Sequence, residues 1–196
     1  MPQSESQLLL ICAMLVNALH RPIFLLLIAI ATGTSSAETQ LLPVQQQARI
    51  EKYRALLAFW AAQPAIIDAT RKANRNPHTM SNIAWDRLDE QDPLVLKPGN
   101  SSIAKQLEAW EKDVYIIKLN LRDKQGNLIA YSARSGKPLL FNNSNRSPFI
   151  NGIKGSWAAE EIKPDPSTQQ NAVQIATPVM DGNHAIGVLQ SAVIIE

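Results

Sequence analysis

The residue types best suited to binding a small solute are concentrated between Tyr131 and Trp157. Aromatic rings there would bury the solute, and amides and guanidinium groups would orient it. Arg134 and Arg146 are natural partners of a carboxylate, because the planar fork of an Arg donates two parallel hydrogen bonds. The segment therefore suits a small organic anion, and its candidate residues are Tyr131, Arg134, Asn142, Asn143, Arg146, Phe149 and Trp157.

The same residues also have an ordinary structural explanation. Aromatic side chains are more often part of a core than exposed to a ligand, and an Arg in a loop is more often solvated. Gln174 and Gln190, near the C-terminus, would either face the same site or pair with each other across a sheet. The sequence leaves both interpretations open.

The motifs of common enzymes do not occur in the sequence. His78 and His184 are far apart and form no HExxH or HxH pair, so no metal site is predicted. There is no Gly-x-Ser-x-Gly nucleophile elbow and no phosphate-binding loop. The carboxylates of Glu160, Glu161 and Asp165 are interpreted as a solvated loop face. We therefore predict a protein that is not an enzyme and that uses no metal or cofactor.

The charge distribution argues against a nucleic-acid partner. The formal net charge is +2, and the Lys and Arg residues are scattered instead of forming a basic stripe with interleaved aromatics. The only cysteine, Cys12, lies in the N-terminal apolar region. The rest of the chain therefore has no disulfide and no thiolate nucleophile.

The N-terminal region has the pattern of an export signal. An apolar stretch, Leu8–Ala31, is interrupted by Arg21 and Pro22 and is followed by small residues up to Ala37. A signal peptidase would cut after Ala37, so that residues 1–37 form the signal peptide and residues 38–196 a single domain in the periplasm.

An uncleaved membrane anchor is the alternative, because a stretch of this length can span a bilayer. Arg21 in its middle would cost roughly 2.5–3.5 kcal/mol there, which favours cleavage. Met14 is a second candidate start. With either leader the domain lies outside the cytoplasm, in the periplasm or anchored to the inner membrane and facing the periplasm.

The first half of the domain has helical periodicity. Apolar residues recur at three- and four-residue spacing through Val44–Asn74, with an interruption at Pro64, which lacks the amide hydrogen that a helix interior requires. Shorter helices are predicted at 81–88, capped by Ser81, and at 103–112, capped by Ser101 or Ser102. The rest of 75–102 is expected to be irregular.

From Val114 the apolar period changes to two, as in a strand. Tyr115, Ile117, Leu119 and Leu121 are predicted to share one face, with Ile116 and Lys118 on the other. Further strands are predicted at 128–134, 157–162, 172–180 and 185–195. Gly126 and Gly182 supply the positive φ of two hairpin turns, and Gly187 indicates a close backbone approach or a bulge.

The order of these segments resembles the Cache (PDC, PAS-like) sensory domains of bacterial extracytoplasmic receptors. The matching pieces are the hairpin Asp123–Ser132, the aromatic short helix Ser147–Ile150, Asp165–Thr168, the strand Val173–Val179 and the closing His184–Leu189. The resemblance implies an α+β fold, with a long N-terminal helix packed on a five-stranded antiparallel PAS-like sheet.

The resemblance also implies where a ligand binds, namely between the sheet and the segment 131–157 that crosses it. We therefore expect a stand-alone periplasmic sensory module that binds a small organic molecule, with Tyr131, Arg134, Asn142, Arg146, Phe149 and Trp157 as its ligand-binding residues. The Tyr- and Trp-rich signature of amino-acid receptors in this family is not visible, so an amino acid is not the expected ligand.

The alternative is a membrane-tethered or periplasmic interaction subunit that modulates a partner receptor without a small-molecule ligand. A polar cavity would favour the sensory module, and a cavity filled by Phe149 and Trp157 would favour the interaction subunit. Pairing with a second copy through the N-terminal helix is a further expected association.

Overall fold

The computed structural model describes residues 42–132, 136–155, 158–159 and 161–195. Two helices begin this part of the chain, α1 (Val44–Ala61) and α2 (Pro64–Arg75). Pro64 lies at the start of α2, where no intrahelical hydrogen bond requires its missing N–H. The predicted interruption of the helical segment at this proline is confirmed.

Three shorter helices follow: α3 (Asn82–Asp86), α4 (Pro93–Gly99) and α5 (Ser102–Trp110). The hydroxyls of Ser81 and Ser101 accept hydrogen bonds from the backbone N–H groups of Ala84 and Ala104, at 3.1 and 3.0 Å. These are the N-caps predicted from the sequence.

Helix α4 was not expected, because residues 75–102 were predicted to be largely irregular. The Asp92 side chain accepts a hydrogen bond from the Leu94 N–H at 2.8 Å, and Pro93 is the first helical residue. This combination of N-cap and proline is a helix-start signal within a segment otherwise rich in polar and loop-forming residues.

The second half of the chain forms an antiparallel sheet. Its strands are β1 (Ile116–Asp123), β2 (Leu128–Tyr131), β3 (Ala158–Ala159), β4 (Lys163–Pro164), β5 (Asn171–Asp181) and β6 (His184–Ile194), with helix α6 (Ser147–Ile153) between β2 and β3. The order across the sheet is β2-β1-β6-β5-β3, and β4 also pairs with β5. The helices and the antiparallel sheet, in which five strands follow one another in this order, confirm the predicted α+β, PAS-like fold.

At the edge of the sheet, two short strands replace the continuous strand predicted at 157–162. Two short strands, β3 and β4, pair with successive parts of β5. Pro164 lies within β4, beyond the predicted end of that strand at residue 162. An edge strand tolerates proline because an outward-facing backbone position has no neighbouring strand and needs no N–H donor.

The predicted alternation of β1 is wrong at its first residues. The pairing of β1 with β6 shifts between Ile116 and Lys118. Ile116 consequently joins Leu119 and Leu121 in the core beneath the helices, whereas Ile117 packs with Ala192 on the opposite face. A β-bulge of this kind moves the following residues to the other face.

The main core lies between the helices and one face of the sheet. Tyr53, Leu57 and Trp60 of α1 pack against strand residues such as Leu119 and Leu189. The predicted packing of the α1 apolar face on the sheet is therefore confirmed. The opposite face of the sheet is free of these helices and carries the polar residues of the candidate site.

Candidate ligand-binding cavity

The sheet face opposite α1 presents a row of polar side chains. Lys118, Asn120 and Arg122 alternate along β1, and Gln190 pairs with Asn120 on the neighbouring strand. Gln174 of β5 is on the same face, since it pairs with Ala192, the residue opposite Lys118. Gln174 and Gln190 are therefore not paired with each other, and both line the cavity described next.

A cavity of about 310 Å³ lies over this row. Its remaining lining comes from the segment between β2 and β3, from β4 and the turn that follows it, and from β5. These residues are Lys137, Pro138, Leu139, Leu140, Asn143, Arg146, Pro148, Lys163, Pro166, Ser167 and Ile175. The volume is at the lower end of the range for small-molecule sites.

The described lining residues carry positive charge only. None of them is Asp or Glu. Five are cationic: Lys118, Arg122, Lys137, Arg146 and Lys163. Arg146 is exposed and makes no side-chain hydrogen bond or ion pair with a described residue. The potential inside such a concave, low-dielectric site therefore favours an anion.

Arg122 is a buried cation with no carboxylate hydrogen-bonded to it among the described residues. Its guanidinium donates to Gln190 Oε1 at 2.9 Å and to the carbonyls of Gly126, Phe141 and Leu140 at 3.1, 2.7 and 3.0 Å. Burial lowers the pKa of Arg122 to about 9, an effect that the nearby Asp123 opposes. The side chain therefore remains charged at neutral pH.

Lys118 and Asp165 form an ion pair beside the cavity, with Lys118 Nζ 2.5 Å from Asp165 Oδ2. Ser167 donates a hydrogen bond to the same carboxylate through its hydroxyl and another through its backbone N–H. Burial raises the pKa of Asp165, but the hydrogen bonds from Lys118 and Ser167 outweigh it and hold the pKa below its usual range. The expectation of a solvated Asp165 is wrong, because its side chain is 0% exposed.

The segment that covers the cavity is tied to helix α3. Lys137 Nζ donates to the carbonyls of Trp85 and Leu88 at 3.0 and 2.7 Å, and the Trp85 indole donates to the Pro138 carbonyl at 2.6 Å. Together with the Arg122 hydrogen bonds to Leu140 and Phe141, these contacts fix residues 137–141 over the sheet.

The structure places the described site residues predicted from the sequence in four different parts of the fold. Arg146 lines the cavity, as does its neighbour Asn143. Tyr131 belongs to a second core cluster with Trp85 and Phe141, where its hydroxyl donates to the Val95 carbonyl at 3.2 Å. Phe149 packs on the sheet residues Ala176 and Val188. Arg134 and Trp157 lie outside the described residues.

Asn142 lines a different, more open groove of about 510 Å³ at the first hairpin turn. Its amide donates to Asn127 Oδ1 at 2.8 Å, and Asn82 donates to its carbonyl at 2.8 Å. The groove is lined by uncharged residues: Thr79, Met80, Ser81, Asn82, Gln125, Asn127 and Asn142. Because the amides of Asn82 and Asn142 already bond to protein, the groove is less suited to orienting a ligand.

The sequence interpretation missed the strand residues that line the cavity, above all Lys118, Asn120 and Arg122. A signal for them was present, because polar residues at every second position of an otherwise apolar strand indicate one polar face. No group of His, Cys, Asp and Glu suited to a metal ion occurs among the described residues. Within that same part of the chain, no helix is long and apolar enough to cross a membrane.

No protein-family model matches the sequence, and no curated protein is significantly similar to it. Solved structures do resemble it. The sensor domain of the V. cholerae histidine kinase DctB is 17% identical, with a TM-score of 0.52, and the match covers 78% of this chain and 53% of that one.

Weaker similarity extends to two chemoreceptor ligand-binding domains. That of Pseudomonas fluorescens CtaA in complex with L-leucine is 16% identical, with a TM-score of 0.44 and coverage of 76% and 51%. That of Campylobacter jejuni Tlp3 in complex with 4-methylisoleucine is 13% identical, with a TM-score of 0.42 and coverage of 76% and 54%. This chain thus matches about half the length of each of these structures.

The similarity to the DctB sensor domain is a similarity of fold. The long N-terminal helix, the antiparallel sheet and the covering segment between β2 and β3 match the arrangement that the sequence resemblance implied. The chain has the fold of a single Cache-type, PAS-like sensory domain.

Proposed function

We propose that this protein is a stand-alone sensory module that binds a small organic anion in the cavity between the sheet and residues 137–148. The observation that supports this proposal most strongly is the lining of the cavity, which includes five cationic residues and no described carboxylate, although Asp165 beside it pairs with Lys118. A protein that only made contacts with a partner would have no need to keep a cavity of this composition open.

Physical chemistry favours an anionic occupant over a neutral one. Arg122 is buried and held by neutral acceptors, so its charge is only partly compensated. An anion in the adjacent cavity would lower the electrostatic free energy of that cation and of Arg146 together. Arg146 adds a free planar fork that can bind a carboxylate through two parallel hydrogen bonds.

The alternative function, an interaction subunit without a ligand, is less well supported. A cavity filled by Phe149 and Trp157 would favour that function. Phe149 packs on Ala176 and Val188, and it is not among the residues that line the cavity. Trp157 lies outside the described residues. The open cavity with its cationic lining residues supports the sensory module, and an enzymatic role has no supporting group of residues in the described chain.

We further propose that the domain works in the periplasm, after cleavage of the leader at Ala37, and that it acts on a membrane receptor. The support is the export-signal pattern at the N-terminus and the shared fold with a histidine kinase sensor domain. Fractionation of the host cell would test this location, and recovery of the protein from the cytoplasm would contradict it.

The exposed face of α1 supports pairing with a second copy. Phe59 is 64% exposed and is flanked by exposed Ala55, Ala58 and Ala62, so that two such helices can approach closely. Sedimentation velocity should find a dimer for the wild type and a monomer for Phe59→Glu. A monomeric wild type would contradict this part of the proposal.

A thermal-shift screen tests the proposed function. Organic anions should raise the melting temperature, because a ligand at one hundred times its Kd stabilises the folded state by about 2.7 kcal/mol. Amines of similar size serve as the control and should have no effect. A broad panel in which no anion shifts the transition would favour the interaction subunit.

A further inference from the structure

The ammonium group of Lys137 binds the C-terminal end of helix α3. It donates to the carbonyls of Trp85, Asp86 and Leu88 at 3.0, 3.3 and 2.7 Å. A helix leaves its last carbonyls unpaired, and a positive charge is favourable beside them. Since an ammonium group has three N–H donors, these carbonyls engage all of them. The helix therefore holds the residue at which the chain begins to cross the cavity.

Two further contacts join α3 to the segment over the cavity. The buried Trp85 indole donates to the Pro138 carbonyl at 2.6 Å, and its ring lies 5.4 Å from that of Phe141, measured between centroids. At the other end of α3, the Asn82 side-chain amide bonds to both the N–H and the carbonyl of Asn142, each at 2.8 Å. The covering segment is thus attached along the whole length of the helix.

Helix α3 and residues 137–140, here called the roof, depend on each other. The helix has five residues, too few for a helix to be stable by itself. The roof forms neither helix nor strand, so it has no ladder of backbone hydrogen bonds to keep it in place. We therefore expect the helix and the roof to lose their positions together.

The chain that follows the roof is held separately. Arg122 donates to the Phe141 carbonyl at 2.7 Å, and the Asn143 N–H donates to the Gly126 carbonyl at 3.2 Å. These bonds fix residues 141–143 to β1 and to the first hairpin turn. On the cavity side, the roof itself receives a hydrogen bond from Arg122 to the Leu140 carbonyl at 3.0 Å.

We propose that α3 is a clasp that controls access to the cavity. While Lys137 and Trp85 are bonded across the contact, the roof covers the polar face of the sheet. When these bonds break, the roof moves away from the sheet, and residues 141–143 act as its hinge. A clasp of this kind acts on any occupant, whatever its charge, and it makes a surface helix part of the cavity entrance.

A single introduced cysteine reports on the opening. The natural Cys12 lies in the leader and is replaced by Ser in any chain that retains it. Asn120→Cys places a thiol on the floor of the cavity, and a maleimide attached to a polymer too large for about 310 Å³ should label it slowly. Lys137→Met and Trp85→Phe each remove donors of the clasp and keep an apolar side chain. Each should accelerate labelling by about fivefold or more.

Two controls make the result decisive. Lys105→Met changes an exposed lysine of α5 and should leave the labelling rate of Asn120→Cys unchanged. Ala104→Cys places a thiol in the main core, where Ala104 is 1% exposed, and its slow labelling should not respond to either clasp variant. An equal acceleration at both thiols would overturn the proposal, because the whole domain would then be opening. Unchanged labelling of Asn120→Cys in either clasp variant, or rapid labelling with the clasp intact, would overturn it as well.

Discussion

The indole rings of Trp60 and Trp110 stack with their centroids 4.8 Å apart and their planes 2° from parallel. The contact joins α1 to α5 within the main core cluster, where Trp60 is 6% exposed. Aromatic pairs of this kind contribute beyond the area that they bury.

Replacing Trp60 by Ala should therefore lower the free energy of unfolding by about 3–5 kcal/mol, the usual cost of removing a buried tryptophan. Lys105→Ala, at an exposed position of α5, is the matched control and should change it by no more than about 0.5 kcal/mol. Urea denaturation measures both. A loss below about 1 kcal/mol for Trp60→Ala would contradict the packing of α1 on the sheet.

Gly187 tests the close approach of β6 to β1 and α2. A Cβ atom at this position would lie 2.4 Å from the Arg122 carbonyl oxygen and 2.5 Å from the Thr70 methyl group. The carbonyl is part of the strand and cannot move away freely, so Gly187→Ala should destabilise the fold by about 1–3 kcal/mol. Denaturation at equilibrium checks this, and an unchanged midpoint would show that the two strands lie further apart.

The Lys118–Asp165 pair predicts a particular dependence of stability on pH. The pKa of Asp165 is lower in the folded than in the unfolded protein, so its stabilising effect is fully present above the unfolded value of about 3.9 and is lost as the pH falls through the folded value. Asp165→Asn should melt at a lower temperature than the wild type at pH 7, and the gap should narrow in acid. A gap that does not vary with pH would contradict the ionised pair.

The leader prediction concerns residues outside the described part of the chain. Small residues up to Ala37 follow the apolar stretch, so the secreted protein should begin at Glu38. Mass spectrometry of the periplasmic fraction gives the mature N-terminus directly. A full-length species found in the membrane would show that the leader is an anchor.

The fold was largely predictable because its signals are local. The helical period of α1, the break at Pro64 and the caps Ser81 and Ser101 each act within a few residues of sequence. The bulge after Ile116 and the division of the edge strand were not predictable, since both depend on the register of a partner strand distant in sequence.

The candidate site was only partly predictable for a related reason. Tyr131 and Phe149 are aromatic residues of the kind that often contact ligands. Both are instead buried in core clusters, Tyr131 with residues of α3 and α4 and Phe149 with residues of the sheet. The sequence shows Lys118, Asn120 and Arg122 as alternating polar residues of one strand. Whether they face a cavity or solvent depends on which face of the sheet the helices cover. Arg146 was identified because its chemistry alone suggested an anion.

The most direct test of the central claim is a calorimetric titration of the best-binding organic anion into wild-type protein and Arg146→Ala. Because Arg146 is a free cation at the edge of the cavity, its removal should weaken binding at least fivefold, about 1 kcal/mol. Arg87→Ala removes an exposed Arg that does not line the cavity and should leave the affinity unchanged. Equal losses in the two variants, or no loss in Arg146→Ala, would contradict an anion site in this cavity.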